Sequence, residues 1–173
     1  MNKYTLSMRI MHWMVSVMII ILLCAGTYMV SLPSGPEQLQ IFTMHKSFGL
    51  IAFMLILIRI AARLSSPVPP LPTTINLAER KLASSTSGLL YACMLLMPLS
   101  GYAMSMSAGY GINFLNTGHM VPDLIGPNTA IYPIAKETHA IVAAVLTSLI
   151  ALHIIGAIKH LLVEKVNLFK RMI

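Results

Sequence analysis

Four runs of predominantly apolar residues divide this chain, at positions 10–31, 42–64, 84–106 and 136–162. A helix needs about 20 such residues to cross the hydrocarbon core of a bilayer, and each run is long enough. In lipid the backbone must satisfy its own hydrogen bonds, so runs of this length are helical there. Of the 173 residues 57% are hydrophobic and 10% charged, a balance that excludes an ordinary water-soluble domain. The connections are short, so successive spans alternate in direction. The expected fold is an all-α membrane protein, an antiparallel four-helix transmembrane bundle, forming a single domain over 1–173. The tracts between the spans leave no room for a soluble catalytic domain.

The formal charge is +7, and its distribution says more than its total. Lys3, Arg9, Arg59, Arg63, Arg80, Lys81, Lys159, Lys165, Lys170 and Arg171 fall on one side of the bundle, and only Lys46 and Lys136 on the other. The positive-inside rule then places both termini in the cytoplasm. The basicity reflects orientation among membrane lipids and does not point to a nucleic-acid partner. Arg9 and Trp13 read as interfacial anchors. Cys24 and Cys93 lie inside spans, where a thiol behaves as a small apolar group. No CxxCH occurs, which excludes covalent c-type haem attachment.

Ionisable groups within spans are costly and point to function. His139 and His153 sit 14 residues apart in the last span. Such a step returns to within about 40° of the same face and advances about 21 Å, offering one imidazole near each side of the membrane. His12 lies near the cytoplasmic end of span one and His45 near the external end of span two. Antiparallel geometry therefore sorts them as His12 with His153 and His45 with His139. Each pair can ligate one iron axially from opposed helices, with an apolar slot between them for a macrocycle. Filling both axial positions suits electron transfer rather than oxygen binding. Zinc would want three or four close ligands with carboxylate or thiolate help, and no carboxylate lies mid-span. The expected cofactors are two non-covalent, bis-His haem b groups, with His12, His153, His45 and His139 as the iron ligands. Together they make a transmembrane electron conduit.

Span three carries no histidine and is expected to be a wall of the bundle, kinked at Pro98 and Gly101. Gly49, at i+4 from His45, admits either a neighbouring helix or a flat cofactor. Arg59 and Arg63 are expected to meet lipid phosphate, with a haem propionate as the alternative. A lead-in over 76–87 is expected to lie along the membrane surface. His160, seven residues beyond His153, reads either as an interfacial histidine or as a hydrogen-bonding partner and proton carrier for a quinone head group. The longest loop, 108–133, is external and holds His119, expected to be solvated.

The segments RIMHW, MHKSFG with its downstream RIAARL, the PxPP linker, PLSGYAM, and THA through LHIIGAIKH with its 14- and 7-residue spacings resemble the bacterial di-haem cytochrome b561 family over nearly the whole chain. The resemblance is strongest to its small stand-alone members, the superoxide oxidase type among them. It implies a four-helix bundle in the bacterial inner membrane, two b haems, and ubiquinone as electron partner. By position it implies His12, His45, His139 and His153 as ligands and His160 beside the quinone. Under that resemblance the chain is an oxidoreductase taking electrons from periplasmic superoxide, with Lys46 and Lys136 steering the anion. Alternatively it is a pure electron carrier, the membrane anchor for a partner dehydrogenase or hydrogenase whose protein donor docks on the external loop. A haem-free membrane transporter or structural protein is the remaining class. No residue is assigned a bond-making catalytic role.

Overall fold

The computed structural model describes residues 3–72 and 74–173. Its long elements are α1 (Leu6–Ser31), α2 (Pro36–Ser65), α3 (Leu77–Ser107) and α4 (Ile131–Leu162). All four are long and apolar enough to cross a membrane, and together they form an all-α four-helix bundle. Every helix begins before its apolar run, and at α2 and α3 good helix starts lie outside the hydrocarbon stretch. Pro36 occupies the first turn of α2, where its missing N–H costs nothing, and Glu37 beside it complements the helix dipole. Asn76 caps α3 by accepting from the Glu79 N–H at 2.9 Å. The lead-in expected at 76–87 is thus the first turns of α3 itself. Pro98 sits inside that helix, which continues through it although the ring has no N–H to offer the preceding turn.

The backbones of α1 and α2 pack closely, as do those of α3 and α4, and α2 meets α3 to join the two hairpins. By contrast, α4 stays farther from α1 and from α2. Those wider gaps are the ones across which the histidines face each other. A middle layer of Val15, Ile19, Ile56, Met94, Val142 and Leu146 closes the bundle at its centre. Ile20, Ile21, Ile58, Leu89 and Ile155 point outward, the belt that lipid would cover.

The loop between α3 and α4 is fastened to the turn of α2 that carries His45. Ser47 is fully buried. Its hydroxyl donates to the Thr43 carbonyl at 2.9 Å and accepts from the Leu115 N–H at 2.8 Å. Lys46 donates to the Gly111 carbonyl at 3.2 Å and stands over the Tyr110 ring. Ser105 donates to the same carbonyl at 2.8 Å. Leu115 and Asn116 hold left-handed backbone at φ 50° and 57°, a conformation costing about 1 kcal/mol or more per residue that these anchors have to offset. Ser47→Ala would leave the Leu115 N–H without its partner, at a cost of about 1–3 kcal/mol. Faster amide exchange at Leu115 and faster protease nicking of 108–130 are expected. Wild-type rates would mean that the loop is held by something else.

At the opposite end, a 3₁₀ turn over Leu168–Arg171 brings the chain back onto the bundle. Trp13, expected as a lipid anchor, donates its indole N–H to the Met172 carbonyl at 2.8 Å. Arg171 donates to the Pro69 carbonyl of the proline-rich linker. Arg80 donates to the carbonyls of Ile75 and Pro72 at 2.8 and 2.9 Å. The linker's polar backbone is therefore held by arginines from both sides.

Candidate functional site

The four span histidines come together in two opposed pairs. His12 on α1 and His153 on α4 have ring centroids 6.4 Å apart with planes tilted by 57°. His45 on α2 and His139 on α4 stand 6.5 Å apart at 82°. Two imidazoles on one metal need about 2 Å for each nitrogen–metal bond plus about 1.1 Å from each nitrogen to its ring centre, or about 6 Å in all. The buried Leu146 lies midway along α4 between the pairs.

Each ring is held by its own surroundings. The His139 Nδ1 lies 3.1 Å from the Met97 carbonyl and 3.1 Å from the Ser100 hydroxyl. A carbonyl only accepts, so Nδ1 carries the proton and Nε2 is left with its lone pair. On the other side of the same pair, the His45 Nδ1 is buried without a partner. Glycines stand against both rings. A Cβ on Gly101 would come within 3.1 Å of His139, and one on Gly26 within 3.3 Å of His45. An apolar cavity lined by Leu22, Gly49, Ala52, Met97 and Pro98 joins the two. At the other pair, Arg59 is 9% exposed, turned into the bundle and away from lipid. Its guanidinium donates to the His12 Nδ1 at 2.9 Å and lies over Tyr91. Its Nε has no partner.

A family model described as prokaryotic cytochrome b561 matches residues 3–173. The chain belongs to the prokaryotic cytochrome b561 family. Its curated relatives include two proteins of Escherichia coli (strain K12). Cytochrome b561 homolog 1 is 29% identical over 177 residues, covering 99% of this chain and 97% of the relative. Cytochrome b561 homolog 2 is 27% identical over 181 residues, covering 99% and 92%. With four membrane-length helices, membership makes this an integral-membrane, haem b electron-transfer cytochrome, of a family suited to quinone and redox partners.

The residues of this cytochrome fit such a group. Glycines flank the imidazoles where a flat ring needs room, and Gly49, whose Cβ would meet nothing within 4 Å, lines the same cavity. An unpaired guanidinium nitrogen in a bundle core calls for an anion, and haem carries carboxylates.

The remaining residues singled out in the sequence scatter. Lys46 is engaged with the loop, and Lys136 is exposed on the first turns of α4. His119 is exposed. His160 is 7% exposed, and its Nδ1 lies 2.5 Å from a Glu164 carboxylate oxygen, so it is no freely solvated interfacial ring. Lys159 also donates to Glu164, at 2.9 Å, and to Glu79 on α3. The Lys159 ammonium, and after it the His160 ring, hold the Glu164 carboxyl below the usual carboxylate range. Gly26, Ser100 and Glu164 carried no expectation, and Arg59, expected at lipid phosphate with a haem propionate as the alternative, is turned inward. Three of these had a signal: Glu164 follows His160 by four residues, and Gly26 follows His12, as Arg59 follows His45, by 14. That step keeps each on its histidine's face.

Proposed function

We infer that this cytochrome carries two haem b groups, one on His12 and His153 and one on His45 and His139, and moves electrons across the membrane to a quinone. The single observation that carries the reading is the two opposed imidazole pairs, at 6.4 Å between the antiparallel α1 and α4 and at 6.5 Å between α2 and α4, which run in the same direction. When bound, the haems take up and hand on one electron at a time. The Met97 carbonyl and Ser100 hold the His139 ring through Nδ1, which leaves Nε2 free to take a haem iron. His12 differs. A metal on its Nε2 leaves the proton on Nδ1, and a guanidinium has no acceptor to receive it. With haem bound, Arg59 would have to release His12, and its guanidinium would be free to hold a haem carboxylate. Metal analysis and the reduced absorption spectrum of the purified protein test the reading: two b-type haems per chain support it, and a colourless folded protein ends it.

With both termini in the cytoplasm, the His45–His139 pair lies toward the periplasm and His160 toward the cytoplasm. Superoxide is the proposed electron donor at the first, and ubiquinone the acceptor beside the second. Lys46 and Lys136 are the basic residues at the donor end, and cations there raise the encounter rate of a small anion. Lys46→Glu would also unfasten the loop, because its ammonium holds the Gly111 carbonyl. Lys136→Glu changes charge alone. Superoxide-driven haem reduction by the Lys136→Glu protein is expected to fall about tenfold at low salt and to converge on wild type at high salt. Equal rates at low salt would remove the steering role.

One observation favours a protein donor instead. Tyr110, Met120 and Leu124 on the α3–α4 loop are 77%, 59% and 83% exposed, more apolar surface than a loop needs for solvent alone. Co-purification of a redox subunit that is lost on Leu124→Asp would support that reading over superoxide.

A further inference from the structure

His160 is the buried titratable ring that the two imidazole pairs leave unused. It follows His153 by seven residues, so it lies about 10 Å farther along α4 and within about 20° of the same face. Burying an imidazole is costly unless its polar atoms are matched. Here Glu164, from the turn that follows α4, reaches back to accept the Nδ1 proton at 2.5 Å. Lys159 donates to Glu164 and to Glu79, tying the start of α3 to the end of α4. That tie would stand without any imidazole, so the buried ring is left over from the structural account.

The carboxylate fixes which nitrogen does what. Nδ1 carries a proton toward Glu164, and Nε2 is the atom left to meet a substrate oxygen. Charge points the same way. The ammonium and the two carboxylates leave the cluster one negative charge in excess while the ring is neutral. A second proton on the ring cancels it. The cluster can therefore load a proton without burying net charge. The side chains of Glu164 and Lys159 are 21% and 43% exposed, so water reaches the carboxylate while the ring stays inside.

We propose that Glu164 and His160 form a proton-loading pair for the quinone. His160 Nε2 donates to the quinone oxygen, and Glu164 is the positioning residue that orients the ring, compensates its charge and returns it a proton from water at the end of the bundle that carries both chain termini. This rests on the quinone reading given above. The balance is that of quinone reduction: the quinone gains two electrons from the reduced haems and two protons from water, and two O–H bonds form to give the quinol.

The test uses the haem-loaded full chain in nanodiscs, reduced anaerobically with a stoichiometric amount of dithionite. Haem reoxidation is followed after mixing with a short-chain ubiquinone or with ferricyanide, an acceptor that takes no proton. In Glu164→Gln and Glu164→Ala, reoxidation by the ubiquinone is expected to fall by about 100-fold, while ferricyanide oxidises the haems at the wild-type rate. Glu164→Asp recovers most of the loss, and added formate restores the Glu164→Ala rate by supplying a mobile carboxylate. Unchanged ubiquinone rates in the Gln and Ala proteins, an equal slowing with ferricyanide, or no recovery with either aspartate or formate would overturn the proton-loading pair. If ferricyanide oxidises the wild-type haems and ubiquinone does not, the quinone reading itself falls, and this inference with it.

Discussion

A His153→Ala protein is expected to keep one b-type haem and lose the other. The reason is the separation of the two imidazole pairs. His153 and His139 share α4 but lie about 21 Å apart along it, with the buried Val142 and Leu146 packed between them. Removing the His153 ring leaves His12 without its opposite number and touches nothing within the other pair, whose ring is fixed by Met97 and Ser100. A haem b with one axial protein ligand missing has lost half of its coordination by protein, and nothing covalent retains it. The same argument makes His139→Ala the mirror case, with the His12–His153 haem kept. Haem per chain by pyridine haemochrome, together with a redox titration that collapses from two waves to one, measures both. Each substitution should remove a different wave. If either variant, folded and monodisperse, lost both haems, or if both variants lost the same wave, the pairing would be wrong.

How much of this was legible in the sequence depended on how local the cause is. Hydrophobic run length is local, and it marked four spans; at α2 and α3 the helices are longer where Pro36 and Asn76 start them outside the apolar stretch. The facing of His12 to His153 and of His45 to His139 follows from alternating span direction plus depth, so it too can be read from position. Arg59 shows what a face argument recovers when it is applied. Its 14-residue step from His45 turns it inward, whereas its place at the end of a span favours lipid phosphate and leaves a haem propionate as the alternative. Glu164 had a weaker signal, its i, i+4 spacing from His160. It lies beyond the apolar run, and only the turn after Leu162 swings it back onto His160. The α3–α4 loop was opaque for a similar reason. Its path depends on Ser47 and Lys46, more than sixty residues away. Left-handed backbone at Leu115 is not something a leucine announces.

Gly101→Ala is expected to damage the His45–His139 site more than Gly26→Ala does, although both place one methyl against an imidazole. In a helix interior the exchange of glycine for alanine is worth about 1 kcal/mol in favour of alanine, so any loss has to come from the contact. At Gly101 the new carbon would stand 3.1 Å from the His139 ring, and at Gly26 3.3 Å from His45. What separates them is whether the ring can retreat. His139 is tied through Nδ1 to Met97 and Ser100. It can yield only by breaking those bonds or by closing on His45, and either change spoils the 6.5 Å ring spacing that the proposed bis-imidazole site needs. His45 has no hydrogen bond on its Nδ1 and can tilt without losing one. Gly101→Val, with two further methyls, should expel the haem from this site altogether while leaving the His12–His153 haem in place. Gly88 on the same helix as Gly101 has open space around its Cβ position, so Gly88→Ala is the control that carries the helix-propensity gain and no clash. The measurements are haem occupancy, the potential of the surviving wave and thermal stability of each variant. Equal occupancy in Gly101→Ala and Gly26→Ala would mean that the Met97 and Ser100 bonds do not set the ring's position. Full occupancy in Gly101→Val would mean that the flat group lies elsewhere.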